Sequence, residues 1–239
     1  MECADECVSV ELRGQLLESC RALKHTQLSH GRSGNVSARA AGGRFLISPS
    51  GMDYETIQPE NLSVMDLTGR WFGGCRPSSE WRMHRDIFKA RTDVGAIVHT
   101  HSIYATALAC TGRGIPAFHY MVAMAGGADV RCAPYHAFGS QELADSVLAA
   151  LHGRKACLLA NHGVIATGPD LLAAFSLAAE VENLARQYCV ALTLGQVRIL
   201  DEAQMSVVLE KFRTYGRQDA ADPDLFAANE GDPVRGTQP

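Results

Sequence analysis

Between Val8 and Leu28, apolar residues recur at Val8, Leu12, Leu16, Cys20, Leu23 and Leu28, close to the spacing of one helix face. The stretch SHGRSGNVS then breaks that period with two glycines among small polar residues, which predicts a loop. Phe45-Leu46-Ile47 is a short strand candidate ahead of the turn-like SPSGMD. Ser78 and Ser79 are placed to cap a helix through Trp81, Met83, Ile87 and Phe88, with Glu80 in its first turn. Val94 to His101 is a β-branched run of strand length. Ser140 can cap a helix through Leu143, Val147, Leu148 and Leu151. Ala156–Ala160 and Val164–Thr167 suit short strands around Asn161-His162-Gly163. Gly168-Pro169-Asp170 opens a long amphipathic helix to about Leu194, and a last helix covers roughly Glu202 to Phe212.

No internal repeat and no domain-splitting linker interrupt this mixture, so one α/β domain over residues 1–216 is expected. From Arg217 the chain turns acidic, rich in Pro and Gly and poor in apolar residues, and residues 217–239 read as a disordered tail. The 239 residues, 46% hydrophobic and 20% charged, suffice for a substantial core. A net charge of -4, with no Lys/Arg cluster, argues against a nucleic-acid partner. The eight cysteines are scattered without a CxxC pair, as reduced thiols would be. Three acids precede the first apolar run, unlike a secretory signal. No 18 consecutive apolar residues offer a membrane span. The expectation is a cytoplasmic protein with no membrane partner.

The clearest chemistry lies in Val98-His99-Thr100-His101. On an extended strand, residues i and i+2 point to one face, roughly 6.5–7 Å apart between Cα atoms, so both imidazoles can converge on one ion. His162, before Gly163, is a third candidate, and three histidines with an open position describe a catalytic zinc site. Spacing alone leaves open a pair of satisfied polar residues, and a zinc hydrolase of unrelated fold also begins with His-x-His. Glu80 could merely compensate a helix dipole. His84, four residues on, shares its face and reads as a backing or surface residue rather than a ligand. The serines and free N–H groups near Glu80 suit a phosphate, as do the small-residue loops Ser33-Gly34-Asn35 and Ser48-Pro49-Ser50-Gly51, though such loops are commonly plain turns.

Taken in order, GNVSAR, LISPSGM, PSSEWRMH, IVHTHS, IPAFHYMVAMAGG, CAPYHAFG, ANHGVIATG and VVLEKFRTYG resemble the class II aldolase/adducin family. Within it the likeness is greatest to members that cleave L-fuculose 1-phosphate. It spans about Leu12 to Gly216, at compatible spacings. The resemblance implies a three-layer α/β/α fold with a central, mainly antiparallel sheet, in a homotetramer whose active sites lie between subunits. It implies a lyase with one Zn2+ per subunit, held by His99, His101 and His162, that cleaves a phosphorylated ketose to dihydroxyacetone phosphate and an aldehyde. L-fuculose 1-phosphate and 5-deoxy- or 5-methylthio-ribulose 1-phosphate are the candidate substrates. Glu80 is then the acid/base and a metal contact when substrate is absent. Ser33, Gly34, Asn35, Ser50, Gly51, Ser78 and Ser79 fall where the family holds phosphate. Tyr120 is implied as a proton-transfer residue from an adjacent subunit, and Phe138 and Tyr215 as cover for the site. The chain departs from the fuculose-type pattern at Arg32, at Ser102-Ile103-Tyr104 and at Asn161. The same scaffold also carries sugar-phosphate epimerases, methylthioribulose-phosphate dehydratases, sugar-acid decarboxylases and the non-catalytic adducin module.

Overall fold

Alternation along the central strands sorts the core into two halves. On β5 (Ala96–Thr100), Ala96 and Val98 pack to one side and Ile97 to the other. On β8 (Gly163–Gly168), Val164 and Ala166 oppose Ile165 in the same way. Strands apolar on both faces must be covered on both. The computed structural model, which describes residues 8–215, provides that cover. The expected tail 217–239, together with Gly216, Cys3 and Cys7, lies outside the described residues.

One eight-stranded sheet runs in the order β4-β3-β2-β1-β5-β8-β7-β6. It adds β1 (Asn35–Ala40), β2 (Arg44–Ile47), β3 (Ser63–Asp66), β4 (Trp71–Gly73), β6 (Arg131–Ala133) and β7 (Ala156–Leu159) to the central pair. Every pairing is antiparallel except β6 with β7. On one face, α1 (Val10–His25), α3 (Ile103–Cys110) and α5 (Leu171–Leu194) bury Leu16, Leu108 and Leu177 with Val36, Val98 and Val164. On the other, α2 (Trp81–Ala90) and α4 (Gln141–Ala150) bury Ile87, Phe88 and Val147 with Phe45, Ile97 and Ile165. The expected α/β/α layers around a mainly antiparallel sheet are present. No described helix is long and apolar enough to cross a membrane.

The helix starts follow their caps. Ser9, Ser140 and Asp170 accept from the backbone N–H groups of Leu12, Leu143 and Ala173. Asp201 and Gln204 form a capping box for α6 (Glu202–Lys211). At α2 the structure differs from expectation. Glu80, rather than either serine, occupies the N-cap position, and no side chain caps the helix there. Ser78 instead accepts from the Glu80 N–H at 3.3 Å, so the Glu80 carboxylate is not used as a cap. Two strands expected to reach further end earlier, leaving His101 just past β5 and Ala160 just past β7.

Candidate metal centre

His99 comes from β5 and faces the α2 side of the sheet, on the same alternation as Ile97. It is fully buried. Its Nδ1 lies 2.9 Å from the Val164 carbonyl oxygen of β8. A carbonyl only accepts, so Nδ1 carries the proton and Nε2 presents a lone pair. His101 follows the end of β5, and its ring lies against Gly163. A Cβ at Gly163 would stand 2.9 Å from His101 Cδ2 and closer still to the Thr100 carbonyl oxygen, so β8 can begin here only as glycine. His162 sits in the short turn joining β7 to β8, where Leu159 pairs with Gly163. Asn161, just before it, takes the left-handed conformation (φ 55) that asparagine tolerates better than most residues.

These strands and α2 bring Glu80, His99, His101 and His162 together, one ligand atom from each lying within 4.8 Å of all the others. The three rings stand mutually T-shaped, with centroids 4.9, 4.9 and 5.0 Å apart. His99 Nε2 is 3.0 Å from His101 Nε2. Glu80 Oε2 is 3.1 Å from His99 Nε2, and Glu80 Oε1 is 3.1 Å from His162 Nε2. Burial alone would raise the Glu80 carboxyl, but positive charge on the side of His99 and His162 outweighs it and holds it well below the usual carboxylate range. Burial, helped by His99 and His162, pushes His101 down to about 3, so it is neutral near pH 7.

That arrangement asks for a cation. The His99 Nε2 lone pair faces a carboxylate oxygen, and Glu80 Oε1 is buried with no hydrogen-bond partner among the described residues. It stands 3.1 Å from His162 Nε2. Converging lone pairs and a buried anion repel one another unless a positive charge sits between them. Three imidazoles and one carboxylate suit zinc or another divalent transition metal.

Beside the cluster is a cavity of about 320 Å³. Ser33, Gly34, Asn35, Ser50, Gly51, Ser78, Ser79, Glu80, His101, Phe138 and His162, all singled out from the sequence, line it. His99 belongs to the cluster without lining the cavity. An isolated Pro49–Pro77 bridge sets the two serine loops side by side. Asn35 is partly committed, since its Nδ2 donates to Glu80 Oε2 at 3.0 Å. Arg32 lines the cavity too, and its Nη1 donates to the Gly51 carbonyl oxygen at 3.0 Å across the two loops. Tyr120 and Tyr215 are not among the described lining residues. They are 48% and 64% exposed, and each pairs with Phe212, at ring distances of 6.4 and 5.0 Å. Sequence reasoning missed Tyr135 and His136 as lining residues, although both lie in the CAPYHAFG segment. It also missed that His84 is completely buried behind Asn35.

The Class II Aldolase and Adducin N-terminal domain family matches residues 14–189. A 5-methylthioribulose-1-phosphate/5-deoxyribulose-1-phosphate aldolase of Rhodospirillum rubrum is 52% identical over 207 residues, covering 87% of this chain and 93% of that protein. An L-fuculose phosphate aldolase of Escherichia coli K12 is 42% identical over 207 residues, covering 86% of this chain and 96% of its own length. Among solved structures, an L-fuculose 1-phosphate aldolase superposes with a TM-score of 0.84 at 40% identity, over 87% of this chain and 98% of that one.

Proposed function

The chain belongs to the class II aldolase and adducin family, and from that premise we propose that it is a zinc-dependent lyase cleaving a ketose 1-phosphate to dihydroxyacetone phosphate and an aldehyde. One observation carries the reading. A three-histidine, one-carboxylate cluster opens onto a cavity walled by serine- and glycine-rich loops. His99, His101 and His162 are the ligands, with Glu80 joining them when substrate is absent. A divalent cation bound there supplies Lewis-acid polarisation of the substrate carbonyl.

The chain's own groups do the rest. Backbone N–H groups and hydroxyls around Ser33, Gly34, Asn35, Ser50, Gly51, Ser78 and Ser79 hold the phosphate, and Arg32 adds charge at the same rim. Binding energy gathered that far from the scissile bond fixes the reacting carbons beside Glu80. Breaking the C3–C4 bond leaves its electron pair on the three-carbon fragment, while one proton passes from the C4 hydroxyl to C3. Tyr120, reaching in from a neighbouring copy, relays the hydroxyl proton by accepting it and passing its own on to the ionised Glu80, and Glu80 then returns that proton to C3. Phe138 and Tyr215 cover the site. The assembly is a homotetramer in the cytoplasm.

For the substrate, the higher identity to the Rhodospirillum rubrum aldolase favours a 5-methylthio- or 5-deoxy-ribulose 1-phosphate over L-fuculose 1-phosphate. A coupled assay for dihydroxyacetone phosphate over those three compounds tests reaction and substrate together. Release should stop on chelation and return with zinc. Turnover that yields an epimer or a dehydrated sugar instead, or cleavage indifferent to chelator, refutes the reading.

A further inference from the structure

Behind Glu80 stands a buried line of polar groups. His84 lies four residues along α2 from Glu80, on the same helix face, and is 0% exposed. Its Nδ1 is 2.7 Å from Ser37 Oγ, and its Nε2 meets Asn35 Oδ1. Asn35 Nδ2 donates to Glu80 Oε2 at 3.0 Å. Strand register explains the grouping. Asn35 pairs with His99 across β1 and β5, and Asn35 and Ser37 alternate onto the face that α2 covers.

The direction of every bond in this line follows from its ends. A carboxylate only accepts, so Asn35 turns its NH2 to Glu80 and its carbonyl to His84. That carbonyl also only accepts, so His84 Nε2 carries the proton and Nδ1 is bare for the Ser37 hydroxyl. All donors in the series Ser37, His84, Asn35 point towards the carboxylate. The two oxygens of Glu80 thereby become unequal. Each oxygen stands 3.1 Å from one ligand imidazole, Oε2 from His99 and Oε1 from His162, but only Oε2 also accepts from Asn35.

We infer that His84 is a positioning residue: through Asn35 it locks the Glu80 carboxylate and reserves Oε1 as the oxygen that exchanges a proton with substrate. Its kinetic part rests on the cleavage proposed above; its structural part does not. His84→Phe keeps ring bulk but removes both polar atoms, leaving the Asn35 amide free to turn. His84→Gln keeps a donor for Asn35 and an acceptor for Ser37.

Both variants are compared with the wild-type protein in cleavage kinetics and in zinc titration of the metal-free protein. The Phe variant should lose about 10–100-fold in kcat with little change in KM, and about tenfold in zinc affinity. The Gln variant should recover most of both. Wild-type kcat and zinc affinity in the Phe variant overturn the inference, and so does an equal loss in both variants, since lost packing would not distinguish them. Should the Phe variant not fold, imidazole nitrogen NMR of the zinc-loaded wild-type protein decides. His84 is expected with Nε2 protonated and Nδ1 bare, and the opposite tautomer overturns the inference. A protein whose zinc affinity depends on His84 but which cleaves no ketose phosphate would refute the reaction and leave the positioning intact.

Discussion

Glu80 is the residue where burial and charge conflict most. It is 6% exposed, and yet positive charge on the side of His99 and His162 holds it ionised. Its replacement separates two roles that the wild-type side chain combines. Glu80→Gln keeps the shape and the three imidazoles but cannot carry the proton. It should lower kcat by roughly 10²–10⁴-fold while metal content, measured by atomic absorption, stays at the wild-type level. Near-normal turnover would remove Glu80 from the chemistry. His84 shows the complementary case of a polar group kept neutral. Burial, with His99 adding to it, pushes it down to about 3, so its hydrogen bonds persist through neutral pH. From the sequence this residue looked like a helix-face neighbour of Glu80, and no more, because its partners Ser37 and Asn35 come from a strand forty-odd positions earlier.

Among the elements, the legible ones were those whose apolar period or cap stood out locally: α1, α4, α5, α6, and the β-branched β5. Strand β1 was read as loop because its inward positions on one face are Asn35 and Ser37, polar residues placed there to meet α2 rather than to build a core. Helix α3 escaped notice because Ile103–Cys110 is nearly all apolar and shows no helical stripe. Strands β7 and β8 were foreseen as short strands around Asn161-His162-Gly163, though their pairing with each other and with β5 was not, since sheet neighbours remote in sequence leave no periodic trace. Gly163→Ala tests that contact. The added methyl group would press on the Thr100 carbonyl and on His101, so a loss of about 1–3 kcal/mol in stability should accompany weaker zinc binding, both visible in thermal melts with and without metal. A second element test concerns the turn from β3 to β4. Burial would raise Asp66, but donors from Thr68 and Arg70 outweigh it and bring it from 3.8 to about 2. The folded value is depressed, so this stabilisation is full above about pH 4 and drains away as pH falls towards 2. Asp66→Asn should be less stable at neutral pH and show a shallower acid limb in urea titrations across that window.

For the whole molecule, the candidate metal cluster lies within one chain, whereas Tyr120 and Tyr215 are exposed and are not among the described residues that line its cavity. The proposed site, completed by a neighbouring copy, would account for both facts. Mixing two inactive proteins, Glu80→Gln and Tyr120→Phe, after dissociation and reassembly should restore part of the wild-type rate, because some sites then draw both intact residues from different chains. Unchanged inactivity in verified mixed assemblies would place Tyr120 outside the chemistry. The order of the sheet has a consequence of its own. The ligand-bearing β5 and the β8 hairpin are adjacent in space but separated by more than fifty residues of intervening chain. An ion therefore cannot be gathered in local stages during folding. The long loop must close and the central pairing form before three imidazoles exist as a set. Metal then acts as a late lock, slowing escape from the finished fold while leaving the early search for it unaided.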